Sequence, residues 1–415
     1  MPGPLEGVRV LDLSTWWAGP LGTMFLADLG AEVIKIEAIQ RVDSYRGTFA
    51  GQVPSDKPYE TSPVFNAVNR NKRGVTLDMA SAKGAEVFRR LVRASDVVCE
   101  NYSARVMENL GVEYAALRRH NPTLVMVSLT GFGRSGPWRD YVAFAATVEA
   151  LSGIPSVTGY AGGPPLLPGA IMGDPLPGLF CAIAVLAALE HRRRTGQGQY
   201  VDMSQLEPTT WTVADALLDF QMNRRTWPRQ GNRVAEMAPH GAYRCLGDDE
   251  WVAIAVEDDG QWRRLCDVIG RPELALPRKG YADLAGRQAH AKDVRQDIEA
   301  WTRQRDKREA MRLLQEAGVA AGAVLNPRDL LSDPQMQSRG FFPVVDRAEV
   351  GPRPYPGCPI KLSATPAGIR SPAPLLGEHN GLALRELLGM TRSEMEGLAR
   401  DCVIGTAPLS TPPAR

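Results

Sequence analysis

The sequence predicts an α/β protein whose larger domain is built around a parallel sheet. Three observations support this fold class. Strand and helix patterns alternate over the first 130 residues, as in sheets covered by helices on both faces. The chain has 415 residues, which is too long for one simple core. The periodicity then changes between about residues 225 and 325, which indicates a second, smaller α+β domain.

The elements of the first domain follow from the spacing of apolar residues and from the glycines and prolines between them. Strands are expected at residues 7–14, 31–37, 95–100 and 123–133. Helices are expected at residues 18–30, 81–94, 103–110 and 113–120. In such folds, ligands bind on the loops at the carboxyl ends of the strands.

The rest of the chain has a different character. Residues 238–258 read as a β-hairpin that turns around "GDDE", and residues 259–270 and 305–317 read as helices. Proline-rich stretches and a helix near 381–388 follow. We therefore divide the chain into residues 1–224 of a large domain, a small domain at 225–328, and a return to the large domain at 329–415 that ends in a loose tail, 405–415.

Composition narrows the possible functions. The net charge of +1 gives no reason to expect nucleic acid or an anionic membrane as a partner. The six cysteines form no C-x-x-C pair, which argues against a zinc site or a disulfide framework and fits the reducing cytoplasm. No signal pattern opens the chain, and no uninterrupted apolar run is long enough to span a bilayer. Residues 176–189 come closest and are interpreted as a core helix.

The turn after the first strand invites a nucleotide-binding interpretation, but the required pattern is missing. A dinucleotide site needs G-x-G-x-x-G, whereas this turn offers only Gly19 and Gly22, beside bulky Trp16 and Trp17. The sequence also lacks a phosphate-binding P-loop and a G-x-S-x-G nucleophile elbow. The five histidines are too dispersed to suggest a metal cluster, so no metal is expected.

One carboxylate stands alone at the start of a long apolar helix. Asp174 lies between Gly173 and Pro175, and the helix pattern continues over 176–189. Aspartate before proline is a good N-cap, because its oxygens accept hydrogen bonds from the exposed amides. The same amides and helix dipole also favour an anion that appears during a reaction. Local sequence alone leaves both interpretations open, and capping is the commoner one.

Several blocks of the chain occur in a recognisable order. They read "LEGVRVLDLS", "AGPLGTMFLADLGAEVIKIE", "NRNKRGVTLDM", "ASDVVCENYS", "NPTLVMVSLTGFGRSGP", "EALSG", "GDPLPG", "RRTGQGQYVDMS" and "LLGEHNGLALRELLG". Together they resemble the class III CoA-transferases, typified by formyl-CoA transferase and carnitine CoA-transferase. The resemblance implies a Rossmann-like large domain built from both chain ends. It also implies a small domain between them, and a homodimer of two subunits threaded through each other as interlocked rings.

The resemblance gives Asp174 a role. It implies that this carboxylate attacks an acyl-CoA thioester, which yields a mixed anhydride and then an enzyme–CoA thioester that an acceptor carboxylic acid attacks. Coenzyme A and acyl-CoA are then substrates, and no permanently bound cofactor is expected. Amides after Asp174 and in nearby loops are the expected donors to the oxyanions.

The resemblance also implies a set of binding residues. The expected CoA contacts are Trp16, Trp17, Ala18, Lys72, Arg73, Asn101 and Tyr102. Relatives often carry arginine after "IE", where this chain has Ala38, so Arg41 or Arg46 is expected to substitute. The expected substrate pocket contains Phe144, Tyr160 and Gly173. "ENYSAR" replaces the common "ENFRPG", and "VEDDGQW" replaces the glycine-rich loop of formyl-CoA transferase.

Two alternatives remain open. The sister branch, the α-methylacyl-CoA racemases, exchanges an α-proton with a histidine paired to the aspartate, but Phe144 stands where that branch has histidine. This substitution favours a transferase over a racemase or isomerase. The other alternative is a non-catalytic acyl-CoA-binding protein in which Asp174 is only a helix cap.

Overall fold

Six parallel strands form the central sheet of the computed structural model, which describes residues 3–48 and 53–409. The strands are β1 (Arg9–Asp12), β2 (Glu32–Glu37), β3 (Lys72–Thr76), β4 (Val97–Glu100), β5 (Val125–Thr130) and β6 (Tyr200–Ser204). Their spatial order is β3-β2-β1-β4-β5-β6. That is the order of the doubly wound Rossmann sheet, in which strand order reverses beside β1. The predicted parallel α/β sheet is confirmed, with β3 and β6 as additional strands.

Two smaller sheets are antiparallel. One contains β7 (His240–Arg244), β8 (Trp251–Ala255) and β9 (Ala320–Ala323), in the order β7-β8-β9. The pairing of His240 with Ala255 and of Arg244 with Trp251 confirms the predicted hairpin around "GDDE". The other is the hairpin of β10 (Val344–Arg347) and β11 (Gly351–Pro354).

Helices fill the connections between the strands. In the first half of the chain they are α1 (Ala18–Asp28), α2 (Pro63–Val68), α3 (Ala82–Arg93), α4 (Val106–Asn109), α5 (Tyr114–Arg118), α6 (Ala145–Ser152), α7 (Ile154–Val157), α8 (Pro175–Thr195), α9 (Leu206–Thr210) and α10 (Ala214–Asn223). In the second half they are α11 (Asp259–Val268), α12 (Leu284–Ala289), α13 (Ala291–Thr302), α14 (Lys307–Glu316), α15 (Pro327–Leu331), α16 (Pro334–Ser338) and α17 (Arg392–Arg400). A π-helical segment, Gly381–Leu387, precedes α17.

The chain divides into two compact units. The first contains Met1–Pro155, Leu167–Thr226 and Pro334–Arg415, and the second contains Ser156–Leu166 and Trp227–Asp333. The second unit thus begins with a short excursion at 156–166, which the division drawn from the sequence places within the large domain. In the predicted loose tail, the Gly405 amide donates a hydrogen bond to Thr76 Oγ1 and the Leu409 amide donates one to the Ile39 carbonyl oxygen. Residues 410–415 lie outside the described residues.

The core of the first unit lies on both faces of its sheet. Val10 and Leu11 are adjacent in β1 and fully buried, yet they belong to different apolar clusters because successive strand residues point to opposite faces. One cluster packs against α3 and the C-terminal segment around Leu384, and the other packs against α1 and α8. A third cluster, centred on Trp262, forms the core of the second unit.

Helix α8 is long and apolar enough, by length and composition, to cross a bilayer. Its residues Cys181, Val185 and Ala188 are nevertheless buried in the cluster beneath the sheet, together with Leu26 of α1. That packing is the behaviour of a core helix. Leu179, Phe180, Ile183 and Leu186 of the same helix remain exposed in the chain.

Candidate active site

A cleft of about 310 Å³ opens at the carboxyl ends of the central strands, all of its walls belonging to the first unit. Parallel strands end at the same edge of a sheet, so loops distant in sequence converge there. The lining residues are Thr15, Trp16, Arg41, Asn101, Tyr102, Ser103, Ala104, Thr130, Gly131, Phe132, Arg139, Tyr141, Val142, Ala143, Phe144, Ala145, Asp174 and Gln205. Six of the residues predicted from the sequence meet here: Trp16, Arg41, Asn101, Tyr102, Phe144 and Asp174.

Two glycines bring Asp174 to this cleft. A Cβ on Gly22 of α1 would lie 2.7 Å from the Gly178 carbonyl oxygen, and a Cβ on Gly178 of α8 would lie 2.6 Å from the Ala18 carbonyl oxygen. Only residues without a side chain permit so close a crossing of the two helices. Gly22 therefore serves helix packing, and the start of α8 lies beside the loop that follows β1.

The carboxylate of Asp174 does not cap its helix. Among the residues that the structure describes, no backbone amide donates to it. Pro175 and Pro177 have no N–H, while the Leu176 and Gly178 amides donate to the carbonyl oxygens of Met172 and Asp174, at 3.3 and 3.0 Å. The capping interpretation is thus wrong. The amides of Leu176 and Gly178 are also engaged already and do not serve as oxyanion donors in this conformation.

One side chain holds the carboxylate instead. Gln205, at the start of α9, donates from Nε2 to Asp174 Oδ1 at 3.3 Å. The pKa of Asp174 is raised to about 6, mainly by burial and to a smaller extent by the nearby charge of Glu149, while the Gln205 hydrogen bond acts in the opposite direction. The site therefore contains a carboxylate that is ionised at neutral pH but more basic than an ordinary aspartate.

The loop before Asp174 is fixed by a buried glutamate. Glu149 of α6 is only 1% exposed, and its Oε1 accepts hydrogen bonds from the Met172 amide and, at 2.9 Å, from the Gly173 amide. A Cβ on Gly173 would lie 2.8 Å from the Ala145 carbonyl oxygen, so this position has no room for a side chain. Gly173 therefore shapes the backbone beneath the nucleophile candidate.

Gln205 and Glu149 were not predicted as functional residues. Glu149 had a weak signal, because a lone acid in the apolar helix pattern of "EALSG" requires a buried partner. Gln205 had none, since its importance depends on where β6 ends relative to α8.

The loop after β1 is held from two sides. The Thr15 backbone exchanges hydrogen bonds with the Asn101 side chain, both at 2.8 Å, and the Trp16 amide donates to Asp43 Oδ1 at 3.1 Å. Trp16 adopts the left-handed conformation with φ of 64°, which is costly for a bulky residue. Its ring contacts Tyr45 and Phe144 edge-on, with ring centroids 5.5 and 5.6 Å away. The indole is thereby fixed in the cleft wall.

Two predicted CoA-binding cations are buried away from the cleft. Lys72 Nζ donates to Asp12 Oδ2 at 2.8 Å, and both side chains are fully buried. Arg46 is also fully buried and forms ion pairs with Glu37 and Glu60, at 2.8 and 2.6 Å. Each cation is already paired and inaccessible, which contradicts the expectation of direct CoA contact: these residues support the loops and do not line the cleft.

The remaining predicted residues lie outside the cleft wall. Arg73 is exposed on β3, Trp17 is half-buried at the start of α1, and Ala18 is buried in that helix. Tyr160 belongs to the second unit, where its side chain is 75% exposed.

Comparison with known proteins gives one consistent result. The family model described as CoA-transferase family III matches residues 5–380. The chain is 34% identical to the succinate–glutarate CoA-transferase of Agrobacterium fabrum, over 94% of this chain and 97% of that protein. It is 35% identical to the succinyl-CoA–L-malate CoA-transferase beta subunit of Chloroflexus aurantiacus, over 97% and 98% of the two chains.

A solved structure agrees with these matches. The crystal structure of a CaiB/BaiF family protein from Brucella suis superimposes with a TM-score of 0.85 at 31% identity, covering 93% of this chain and all of that one.

Proposed function

The chain belongs to CoA-transferase family III and is a CoA-transferase; on that premise we propose that Asp174 is the nucleophile that carries CoA between two carboxylic acids. The supporting observation is that the Asp174 carboxylate faces the cleft uncapped. Within the described residues it accepts a hydrogen bond from the Gln205 side chain alone.

The environment of Asp174 suits a nucleophile. With a pKa of about 6, most of the carboxylate is ionised at neutral pH. Its raised basicity strengthens attack on a thioester relative to an ordinary aspartate, because nucleophilicity rises with basicity. Gln205 occupies Oδ1, which leaves Oδ2 to form the new bond.

The proposed reaction proceeds through four exchanges. An Asp174 oxygen attacks the thioester carbonyl, the C–S bond breaks, and CoA leaves as thiolate from a mixed anhydride. The thiolate attacks the Asp174 carbonyl carbon and releases the donor acid as carboxylate, leaving an Asp174–CoA thioester. The acceptor carboxylate attacks the carbonyl of that thioester, the C–S bond breaks, and CoA leaves again as thiolate from a second anhydride. The thiolate finally attacks the acceptor's carbonyl, which releases the new acyl-CoA and regenerates Asp174.

The cleft walls suggest how CoA and the acyl group are held. We assign Trp16, Arg41 and Tyr102 to direct CoA contact, since aromatic and guanidinium groups stack on the base and bind the phosphates. Asn101 acts indirectly, because its side chain is occupied by Thr15. Phe144 is 56% exposed and provides an apolar surface beside the nucleophile.

A second acidic group on the acyl substrate is also proposed. The two relatives named above are named for succinate, glutarate and L-malate, which are dicarboxylic acids. In this chain Arg139 lines the cleft, and although Nη2 binds Glu108, its Nε is buried without a partner among the described residues. A distal carboxylate would satisfy that donor.

Mass spectrometry tests the covalent step. Incubation with succinyl-CoA should leave a CoA thioester on the peptide that contains Asp174. Hydroxylamine should convert it to a hydroxamate, and borohydride should reduce it to an alcohol. Asp174→Asn should lose about 10³-fold or more of its transfer activity, because a carboxamide cannot form the anhydride.

Controls separate chemistry from folding. The Asn variant should keep its secondary structure and still bind CoA. An Asn variant with near-normal transfer, once deamidation has been excluded, or a label located on another residue would reject Asp174 as the nucleophile.

Racemisation is not supported by the cleft. Among the described residues that line it, no histidine is present, and Phe144 offers no group that exchanges a proton.

A homodimer is proposed from exposed apolar surface. Helix α10 has no buried residue, although it carries Leu217, Leu218, Phe220 and Met222, and Trp211 just before it is 73% exposed. A second copy that covers this face and the exposed face of α8 would remove the patch from water, as the interlocked arrangement implies. Sedimentation should give twice the chain mass of 45.2 kDa. A stable monomer at micromolar concentration would exclude the dimer.

The proposed location is the cytoplasm, where acyl-CoA substrates and reduced cysteines are expected.

A further inference from the structure

The second unit contains a cavity that the proposed transfer reaction does not use. Its volume is about 590 Å³, which is within the range of small-molecule sites. Its walls come from the segment before β7, from β7 itself and from α12 and α13. None of its lining residues belongs to the Asp174 cleft.

The charge of the cavity lining has one sign. Arg233, Arg287, Lys292 and Arg295 line it together with His240, and no aspartate or glutamate is among its described lining residues. Arg295 is paired with Glu299 and Arg287 with Asp259. Arg233 and Lys292 form no ion pair within the described ranges, so the cavity carries uncompensated positive charge.

One buried lining residue, Arg287, has an unfilled donor. Arg287 is 1% exposed; its Nε donates to the Ala238 carbonyl oxygen and its Nη1 donates to Asp259 Oδ1 at 2.9 Å. Its Nη2 is buried and has no hydrogen-bond partner among the residues described. A buried guanidinium N–H without an acceptor costs free energy unless a ligand or water supplies one.

Apolar groups complete the walls. Val234, Met237, Tyr243 and Val294 line the same cavity, and Tyr243 also contacts the Arg295 guanidinium, 5.1 Å from its ring centroid. A cavity with an apolar wall and convergent cations fits a ligand that has a carbon skeleton and acidic groups.

We propose that this cavity is a binding site for a small organic anion that carries two or more phosphate or carboxylate charges. One acidic group accepts from Nη2 of the buried Arg287, and another pairs with the exposed Arg233 and Lys292. The site is independent of Asp174, so it stands or falls separately from the transferase mechanism.

Calorimetric titration of the full-length protein tests the site with two probes. Citrate represents the carboxylates and inorganic pyrophosphate represents the phosphates. At least one should bind saturably, with one site per chain and a Kd below about 1 mM. Lys292→Ala and Arg233→Ala should each weaken that binding about tenfold, because each removes one unpaired cation. Both residues are exposed, so neither change disturbs the core.

Two further variants make the result decisive. Lys279→Ala removes an exposed cation of the same unit that does not line the cavity, and it should leave the affinity unchanged. Arg41→Ala removes a cation from the Asp174 cleft and should also leave it unchanged. Absence of saturable binding for both probes would overturn the proposal. So would binding that Arg41→Ala weakens and Lys292→Ala does not.

Discussion

Asp12 and Asp174 are both aspartates near the end of β1, but their surroundings give them opposite properties. Asp12 is fully buried and accepts hydrogen bonds from Thr23 Oγ1 and Lys72 Nζ, both at 2.8 Å. Asp174 has Gln205. Burial acts to raise the pKa of both, but Lys72 and Lys35 lower that of Asp12 to about 2, whereas that of Asp174 is about 6. The charged partners of a buried carboxylate, more than its depth, therefore decide whether its pKa is lowered or raised.

The same contrast extends to the layers that contain them. Beneath the cleft, buried acids and bases are paired: Lys35 with Asp43 at 2.9 Å, and Glu60 with both Arg46 and Arg347, at 2.6 and 2.7 Å. These pairs tie β2 and the segment that follows it to Arg347 of β10. A layer of paired charges thus lies beneath a cleft whose carboxylate has few partners, an arrangement that suits the proposed nucleophile.

Breaking a buried ion pair beneath the cleft should have the largest effect on the free energy of unfolding. Lys72→Met removes the cation and leaves Asp12 buried without its main counter-charge. We expect the free energy of unfolding to fall by about 3–5 kcal/mol, since a lone buried charge is costly. Urea unfolding at pH 7 measures this.

The matched control is the next residue. Arg73→Met removes a cation from the same strand, but Arg73 is exposed, so the change should stay within about 0.5 kcal/mol. Equal effects of the two substitutions would show that the buried Lys72–Asp12 pair contributes no more to the free energy of unfolding than an exposed arginine does.

The fold was largely predictable, because periodicity reports which face of each element is buried. Alternating strand and helix patterns gave the parallel sheet, and β1, β2, β4 and β5 lie within their predicted ranges. β3 was missed because "KRGVT" begins with two cations, and only the structure shows that Lys72 points to a buried acid while Arg73 faces solvent. A charged residue in a sequence does not indicate whether an oppositely charged partner lies in the protein interior.

Removing the charge of Asp174 should stabilise the protein, in contrast to Lys72→Met. Because the pKa of Asp174 is about 6 in the folded protein, against 3.8 for an ordinary aspartate, the folded state binds more protons between these values. Stability therefore falls as pH rises from 4 to 6. Asp174→Asn should abolish that loss and make the protein more stable at pH 7.5 by about 1–3 kcal/mol, with no gain below pH 4.

Thermal and urea unfolding across pH 3.5–8 measure this difference. A variant that is less stable than the wild type at pH 7.5 would mean that the ionised carboxylate stabilises the folded state, which contradicts a raised pKa.

The site was only half predictable, for a related reason. Asp174 was found because a lone acid beside a proline is conspicuous in an apolar stretch. Its partner Gln205 was not found, because that residue is 31 residues away and is brought close by the packing of α8 beside β6. Similarly, Arg46 and Lys72 look like ligand-binding cations until their buried acidic partners are located.

The smallest expected effect concerns Gln205. The Gln205 hydrogen bond lowers the pKa of Asp174, so Gln205→Leu should raise it and move the acid limb of kcat/KM upward by about 0.5–1 pH unit. Activity at pH 8 should change little, because Asp174 stays ionised there.

Gln205→Glu should move the limb further, since a second carboxylate opposes ionisation of the first. Gln197→Leu, an exposed glutamine after α8, should leave the profile unchanged. The pH profile separates positioning from simple structural support, because a loosened site would lower activity at every pH without moving the limb. An unmoved limb in Gln205→Leu would show that Gln205 does not set the pKa of Asp174.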